Sequence, residues 1–181
     1  MFVGAGAANE EYLTRLTEQL RAYQARGVTH VAFGDIFLED LRRWRKEHLA
    51  RLGLRGLFPI WKTDSRALIR EFVALGFDSI VCCVNDAYLD ASALGRHIDA
   101  RFLASLPPDV DPCGENGEFH SFACAGPIFR EPIAVRVGET VYRPVEETHP
   151  GATAAGAAGP CPPPGGRRTR GFWFCDLLPV G

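Results

Sequence analysis

The sequence has no long apolar run and no recognisable export signal. Its longest apolar stretches, such as residues 79–84 (SIVCCV), fall far short of the roughly 20 residues that a membrane helix needs. The N-terminal residues MFVGAGAANEEY lack the basic region and the sustained apolar region of a secretory signal. We therefore expect a cytoplasmic protein with no membrane partner.

The chain also lacks an excess of charge of either sign. Twenty Lys and Arg residues oppose 22 Asp and Glu residues, which leaves a net charge of -2. A protein that binds nucleic acid by neutralising phosphates carries a basic surface, so nucleic acid is not an expected partner. Lys46 and Lys62 are the only lysines, and we interpret the Ala-, Gly-, Pro- and Arg-rich composition as genome bias.

Cysteine is present without the spacing of a metal site. None of the six cysteines forms a C-x-x-C pair, and the adjacent Cys82 and Cys83 would point to opposite faces of a strand. A chain of this size does not need disulfide bonds for stability, and it shows no export signal. The sequence therefore predicts reduced thiols and no metal bound through cysteine.

Sequence motifs that bind phosphate are also missing. Residues 4–9 (GAGAAN) contain the first two glycines of a dinucleotide-binding fingerprint but not the third, and no strand can precede them. The motif G-x-x-x-x-G-K-[ST] does not occur. The sequence as given therefore contains no recognisable phosphate-binding loop.

The 181 residues, 46% of them apolar and 23% charged, are typical of one globular domain with a possible appendage. Apolar periodicity and helix-ending glycines predict helices over 9–26, 38–52 and 64–75. Strands or extended segments are predicted over 28–33, 54–61 and 77–84, the last of the buried parallel type. This alternation predicts a doubly wound α/β sheet with helices on both faces.

The second half of the chain has a different character. A short helix is expected near 96–105, followed by a polar, Gly-rich loop and a hairpin over 132–145 that turns near Gly138. Between residues 150 and 166, 15 of 17 residues are Gly, Pro or Ala, which predicts a flexible linker. We expect four parts: an α/β domain over 1–106, a loop and hairpin over 107–149, a flexible segment over 150–170, and a strand returning to the sheet over 171–181.

The strongest chemical signal is the run DPCGENGEFHSF over residues 111–122. Glu115 and Glu118 lie three residues apart, and Asn116 stands between them. Gly114 and Gly117 relax the backbone. Such groups can coordinate Mg²⁺, position an amine or hold a ribose. The alternative is a Gly-containing turn with solvated acids.

Three further residues are weaker candidates. Asp35 follows a predicted strand at the edge where doubly wound folds bind ligands, although Asp there can equally cap a helix. His120 could act as an acid or base near neutral pH, or be structural. Cys113 in the Gly-rich loop could be a nucleophile, but the sequence assigns no base to it.

Taken together, GVTHVAFGDI, LFPIW, ALGFDSIVCCV and above all DPCGENGEFHSF resemble the diphthine–ammonia ligase family over about residues 9–145. That family belongs to the PP-loop, or adenine nucleotide alpha-hydrolase-like, ATP pyrophosphatases. The resemblance implies a Rossmann-like (HUP-type) parallel sheet with helices on both faces, truncated at its N-terminus, and a small C-terminal part that contains β-structure.

The resemblance implies an activity as well. Family members adenylate a carboxylate with ATP, with Mg²⁺ expected, and ammonia then displaces AMP to leave an amide. In eukaryotes and archaea the carboxylate belongs to diphthine, a modified histidine of translation elongation factor 2. By this resemblance Gly34 and Asp35 face the nucleotide, Gly114 and Gly117 shape the substrate loop, and a catalytic set lies beyond them: Glu115, Asn116, Glu118 and His120.

Two departures from the family leave alternatives open. The family's S-G-G-x-D-S pyrophosphate loop is absent, and the chain starts about where the family's third helix starts, so about 60 residues of two βα units are expected to be missing. A sheet without its first strands exposes an edge, which predicts a possible homo-oligomer. His120 replaces a Glu common in archaeal and eukaryotic members, which leaves the carboxylate substrate unknown. The alternatives to an amide-forming ligase are a non-catalytic substrate-binding or interaction module and, less favoured, a hydrolase that uses Cys113.

Overall fold

The computed structural model describes residues 9–145 and 168–180, which fall into two compact units. The N-terminal unit comprises residues 9–63. The C-terminal unit comprises residues 64–145 and 168–180. The division therefore falls after Thr63, whereas the sequence placed the end of the α/β domain at residue 106.

The N-terminal unit alternates helices with short strands. Helix α1 (Asn9–Gln24) precedes strand β1 (His30–Ala32), and helix α2 (Glu39–Arg51) precedes strand β2 (Arg55–Leu57). The two strands pair in parallel, with His30 opposite Arg55. The carboxyl ends of both strands therefore lie at one edge, as in the doubly wound arrangement that the sequence predicts.

The C-terminal unit is built on a four-stranded antiparallel sheet. Its elements are helix α3 (Ser65–Ala74), strand β3 (Asp78–Asn85), a single 3-10 turn (Ala91–Ala93), helix α4 (Ala100–Ser105) and strands β4 (Phe119–Ala125), β5 (Val135–Pro144) and β6 (Gly171–Pro179). The strand order is β4-β3-β6-β5, and every neighbouring pair is antiparallel.

The core of the C-terminal unit lies where α3 and α4 meet strand β3. Val81 and Val84 of β3 are fully buried, and Phe102 of α4 is 1% exposed. The Phe102 ring packs edge-on against Phe119, with the ring centroids 5.6 Å apart. Among the described residues, no helix is both long enough and apolar enough to cross a membrane.

The α/β class is confirmed, but the predicted parallel pairing of 77–84 is wrong. The strand exists as β3, and both of its neighbours run antiparallel to it. A continuous apolar run indicates a strand that is buried on both faces, and β3 meets that condition as an interior strand of an antiparallel sheet. Burial alone therefore does not reveal strand direction.

The hairpin predicted over 132–145 is also wrong, because this segment forms the single strand β5. Gly138 lies at an irregularity in the register with β6, between Val137 and Thr140. A glycine within a strand marks a bulge as readily as a turn, and here β6 supplies pairing on both sides of it. The strand predicted to return to the sheet forms β6, between β3 and β5. The predicted flexible segment lies largely outside the described residues.

Candidate functional site

Glu118 is the centre of the loop that precedes strand β4. Its side chain is fully buried, yet both carboxylate oxygens accept hydrogen bonds. Oε1 accepts from the Asp111 N–H at 2.9 Å and from Asn116 Nδ2 at 3.0 Å, and Oε2 accepts from the Asn116 N–H at 2.9 Å. A buried carboxylate needs such donors, since burial without them is strongly unfavourable. Glu118 therefore fixes the two ends of the loop to each other.

Asp111 holds the outer side of the same loop. Its Oδ1 accepts from the N–H groups of Cys113 at 2.9 Å and Glu115 at 3.3 Å. Its Oδ2 accepts from Ser65 Oγ at 2.6 Å, and Ser65 is the first residue of α3. Asp111 therefore ties the loop to the start of that helix.

Gly114 is required by the shape of the loop. Its φ is +71°, a left-handed conformation that disfavours a side chain, and an added Cβ would lie 2.7 Å from the Phe119 carbonyl oxygen. Gly117 also has a positive φ, of 80°. Both glycines that the sequence assigned to the substrate loop thus form turns within it, closed by hydrogen bonds from Gly114 N–H to Asp111 O and from Gly117 N–H to Gly114 O.

Asn85 joins the loop to the sheet. It is 2% exposed at the end of β3, and its N–H donates to the Glu118 carbonyl at 2.9 Å. Its side-chain Nδ2 makes a longer contact of 3.5 Å with the Gly117 carbonyl, while its Oδ1 accepts from the Ala87 N–H. The loop is therefore held by a helix on one side and by an interior strand on the other.

The other predicted catalytic residues are more accessible than Glu118. Glu115 and Asn116 are half-buried, and His120 is exposed at the second position of β4, opposite Cys83. A ligand at the loop surface can thus reach Glu115, Asn116 and His120. The Glu118 carboxylate, by contrast, is enclosed by the donors it accepts from.

Cys113 is a poor nucleophile in this setting. Burial, with the nearby carboxylates of Asp111 and Glu115, raises the pKa of the Cys113 thiol to about 12. Its Sγ donates to the Ser65 carbonyl at 3.3 Å. Because the thiolate is the reactive form, the hydrolase interpretation has no support from this geometry.

The predicted nucleotide-facing residues belong to the N-terminal unit. The Asp35 side chain is 10% exposed, and its carboxylate accepts from Arg45 Nε at 2.8 Å, while Arg45 stacks on the Phe33 ring. Asp35 does not cap α2, whose N-cap is Leu38. Gly34 is exposed, and a Cβ added to it would meet no atom within 4 Å. The open space over Gly34 would let a ligand approach its backbone.

A metal site does not emerge from the side chains that the structure describes. Within residues 9–145 and 168–180, no group of three or more His, Cys, Asp or Glu side chains is placed to hold a metal ion. Asp111 and Glu118 instead accept hydrogen bonds from N–H and O–H groups.

Ser65, Asn85 and Asp111 are the site residues that sequence reasoning missed or left without a role. Asp111 opens the distinctive run, but its partner Ser65 is 46 residues away. Asn85 stands directly after the apolar run of β3, which is the one local signal that could have singled it out. A polar residue that is 2% exposed at the end of a buried strand needs hydrogen-bond partners, and the loop supplies them.

Known proteins share the region that contains this loop. Residues 64–148 match the family model described as the diphthamide synthase C-terminal domain. A diphthine–ammonia ligase of Danio rerio is 32% identical over 127 residues, which are 63% of this chain and 47% of that protein. Those of Rattus norvegicus and Homo sapiens are each 30% identical over 119 residues, covering 62% of this chain and 45% of the relative.

The matched region thus spans about half the length of these curated relatives. The family match begins at Asp64, where the C-terminal unit also begins, and it covers that unit except for strand β6. By these similarities, residues 64–148 resemble the diphthamide synthase C-terminal domain, and the chain is similar to relatives that are named diphthine–ammonia ligases.

Proposed function

We propose that this chain forms part of an ATP-dependent, amide-forming ligase of the PP-loop superfamily. In this reaction a carboxylate oxygen attacks the α-phosphate of ATP, forming an acyl adenylate and releasing pyrophosphate. Ammonia then attacks the acyl carbon, the bond to AMP breaks, and an amide and a proton are released. The names of the relatives supply diphthine and ammonia as the first substrates to test.

The observation that carries the proposal is the loop over residues 111–118. It lies inside the matched region, and a fully buried glutamate and two left-handed glycines fix its shape. A ligase needs polar groups in fixed positions to hold a small nucleophile against an activated carboxylate. Correct orientation of the two reactants accounts for a large part of the rate enhancement of such reactions. The half-buried Glu115 and Asn116 are the groups that this loop offers to a ligand.

Each predicted residue has a role in this proposal. Glu115, Asn116 and the exposed His120 face the substrate or ammonium, and the imidazole is suited to accept the proton that ammonium loses. Glu118 acts as a positioning residue, because its two oxygens already hold three N–H donors. In the N-terminal unit the open backbone at Gly34 fits a nucleotide, and Asp35 with Arg45 supports the strand end beside it.

The direct test is amide formation by the purified chain. The chain is incubated with ATP, isotopically labelled ammonium and an elongation factor 2 that carries diphthine. In a second arm it is fused behind the part of the Danio rerio relative that precedes the matched region. The expected result in at least one arm is labelled amide in the factor, with AMP and pyrophosphate as products. Absence of label in both arms, with the intact Danio rerio ligase active alongside, would overturn the proposal.

A second candidate, a non-catalytic substrate-binding module, is favoured by one observation. All four carboxylate oxygens of Asp111 and Glu118 are used within the C-terminal unit, so neither acid offers a fully free oxygen to ammonium. In the same two arms this candidate predicts binding of the diphthine-bearing factor without AMP release. Binding that disappears when diphthine is absent from the factor would identify it.

A further inference from the structure

The C-terminal unit contains a cavity that is separate from the loop residues. Its volume is about 190 Å³, and it lies between the 3-10 turn and helix α4. Tyr88, Phe102 and Leu106 supply apolar lining, and Asp90, Ser92 and Arg96 supply polar lining. Taking about 30 Å³ for a water molecule, the cavity holds a ligand about six water molecules in size.

Arg96 provides a positive charge whose hydrogen-bonding groups are available. Its guanidinium lies over the Phe102 ring, 5.1 Å from the centroid. Within the described part of the chain, the guanidinium makes no hydrogen bond and no ion pair. The Asp99 carboxylate feels the charge of Arg96, but it accepts from the Phe102 N–H as the cap of α4. A stacked guanidinium keeps its N–H edges free for a carboxylate.

Asp90 provides the opposite charge in the same cavity. Its Oδ1 accepts from the Ser92 N–H at 2.8 Å, which caps the 3-10 turn. Hydrogen bonds from the Ser92 side chain and backbone lower the pKa of Asp90, so the carboxylate is ionised at neutral pH. No ion pair joins Asp90 to Arg96 among the described residues.

The cavity is thus lined by a carboxylate and a guanidinium that do not pair with each other. A ligand that carries one positive and one negative charge could pair with both. We infer that this cavity binds a small zwitterion, with the ligand's carboxylate on Arg96, its ammonium on Asp90 and its short apolar stem against Phe102. A ligand with one charge would satisfy one wall of the cavity and meet a like charge at the other.

One residue of the cavity wall contacts strand β4, which follows the loop. Phe102 packs edge-on against Phe119, which follows Glu118 directly. A ligand in the cavity would therefore contact Phe102, which in turn packs against the residue that follows Glu118. Binding to the cavity is nevertheless independent of ATP and of amide formation, so it is tested without either.

The test uses three probes that share a three-carbon skeleton: β-alanine with both charges, propionate with the carboxylate only, and propylamine with the ammonium only. Binding to the full chain is measured by calorimetry and by ligand-detected NMR. We expect β-alanine to bind at least about tenfold more tightly than either single-charge probe, since each charged hydrogen bond contributes on that scale. Arg96→Gln should reduce β-alanine binding at least about tenfold, and Arg101→Gln should leave it unchanged, because Arg101 is exposed on α4 and does not line the cavity.

Asp90→Asn provides a second, gentler variant, because asparagine can still cap the turn. It should abolish the preference for β-alanine over propionate. Thermal unfolding of each variant shows whether it folds, and if Arg96→Gln does not, Asp90→Asn decides the question. Equal binding of β-alanine and propionate to the unmodified chain, no saturable binding of β-alanine, or equal losses in Arg96→Gln and Arg101→Gln would each overturn the inference.

Discussion

Two buried carboxylates, one in each unit, are held in different ways. In the N-terminal unit, the Asp35 carboxylate accepts from the Nε of Arg45, a side chain that is 25% exposed. In the C-terminal unit, Glu118 accepts from two backbone N–H groups and the Asn116 amide, and it is fully buried. Asp35 thus pairs with one long side chain, whereas Glu118 is held mainly by backbone N–H groups of its own loop.

This difference separates two kinds of candidate site. A carboxylate paired with a partly exposed arginine can exchange its partner when a ligand arrives, because the arginine can turn toward water. A carboxylate that holds three N–H donors cannot release them without leaving buried donors unsatisfied. Asp35 can therefore change its hydrogen-bond partner when a ligand binds. Glu118 keeps its partners and fixes the conformation of the loop.

The largest expected effect comes from removing the Glu118 carboxylate. Glu118→Ala leaves three N–H donors without their acceptor and should reduce the free energy of unfolding of the C-terminal unit by about 3 kcal/mol or more. Glu118→Gln keeps the shape but turns an NH₂ group toward an N–H donor, and should reduce it by about 1–3 kcal/mol. Urea denaturation, followed by the fluorescence of Trp173 in β6, measures both.

Glu131→Gln is the matched control, because Glu131 is exposed and the change of charge is the same. Its effect should stay within about 0.5 kcal/mol. If Glu118→Gln were as stable as Glu131→Gln, the loop would not depend on the buried carboxylate, and the contrast with Asp35 would disappear.

A second comparison concerns the glycines beside these acids. Gly114→Ala forces a side chain into a left-handed φ and against the Phe119 carbonyl, and should destabilise the protein by about 2–3 kcal/mol. Gly34→Ala meets open space and should change stability by less than about 0.5 kcal/mol. Thermal unfolding of the pair measures both changes. Equal stability of the two variants would show that the loop backbone is not constrained as described.

Asp86 is a third acid, intermediate between the other two. It accepts from the Arg170 N–H at 3.0 Å and from the Tyr142 hydroxyl at 2.8 Å. Burial acts to raise the pKa of Asp86, but these hydrogen bonds outweigh it and the pKa lies below its ordinary value of 3.8. Because the folded pKa is lowered, the stabilisation is present above pH 3.8 and is lost as the pH falls through the folded value.

Asp86→Asn should therefore reduce stability at neutral pH by about 1 kcal/mol and flatten the acid limb of the stability profile. Urea denaturation at a series of pH values measures this. An acid limb of unchanged slope in the variant would show that Asp86 does not contribute to it.

The smallest expected effect concerns reactivity and leaves stability unchanged. The raised pKa of Cys113, about 12, and its buried position predict slow alkylation by iodoacetamide at pH 8 in the folded protein. Peptide mass spectrometry, with urea-unfolded protein as the reference, measures the labelling of Cys113. Labelling of Cys113 as fast in the folded as in the unfolded protein would reopen the nucleophile hypothesis.

Local sequence signals predicted most helices and strands and the parallel pairing of β1 with β2, but not the antiparallel pairing in the second half of the chain. The helix predicted over 64–75 forms as α3, and Asp64 caps it by accepting from the Ala67 N–H at 2.7 Å. Strand direction in the second half depends on β6, which pairs with β3 although more than 80 residues of sequence separate them. The continuous apolar sequence of β3 indicates that the strand is buried, but it carries no information about the direction of the neighbouring strands. Parallel and antiparallel pairing could therefore not be distinguished from the sequence.

The loop was identified from sequence, but the roles within it were not. The sequence spacing does not distinguish Glu115 from Glu118. In the structure Glu118 is buried, whereas Glu115 is half-exposed. That distinction depends on Asp111 and on contacts with Ser65 and Asn85, which are distant in sequence. The assignment of Glu118 to catalysis stays a prediction, and its hydrogen bonds favour a positioning role.

Hydrogen exchange at the Asp111 and Asn116 amides tests the role of Glu118 most directly. Both N–H groups donate to its carboxylate. If Glu118 fixes the loop, these two amides exchange only when the C-terminal unit unfolds, at the same free energy as the core amides of β3. In Glu118→Gln at least one of the two should exchange faster by about tenfold or more. Rapid exchange of both amides in the unmodified protein would contradict the account.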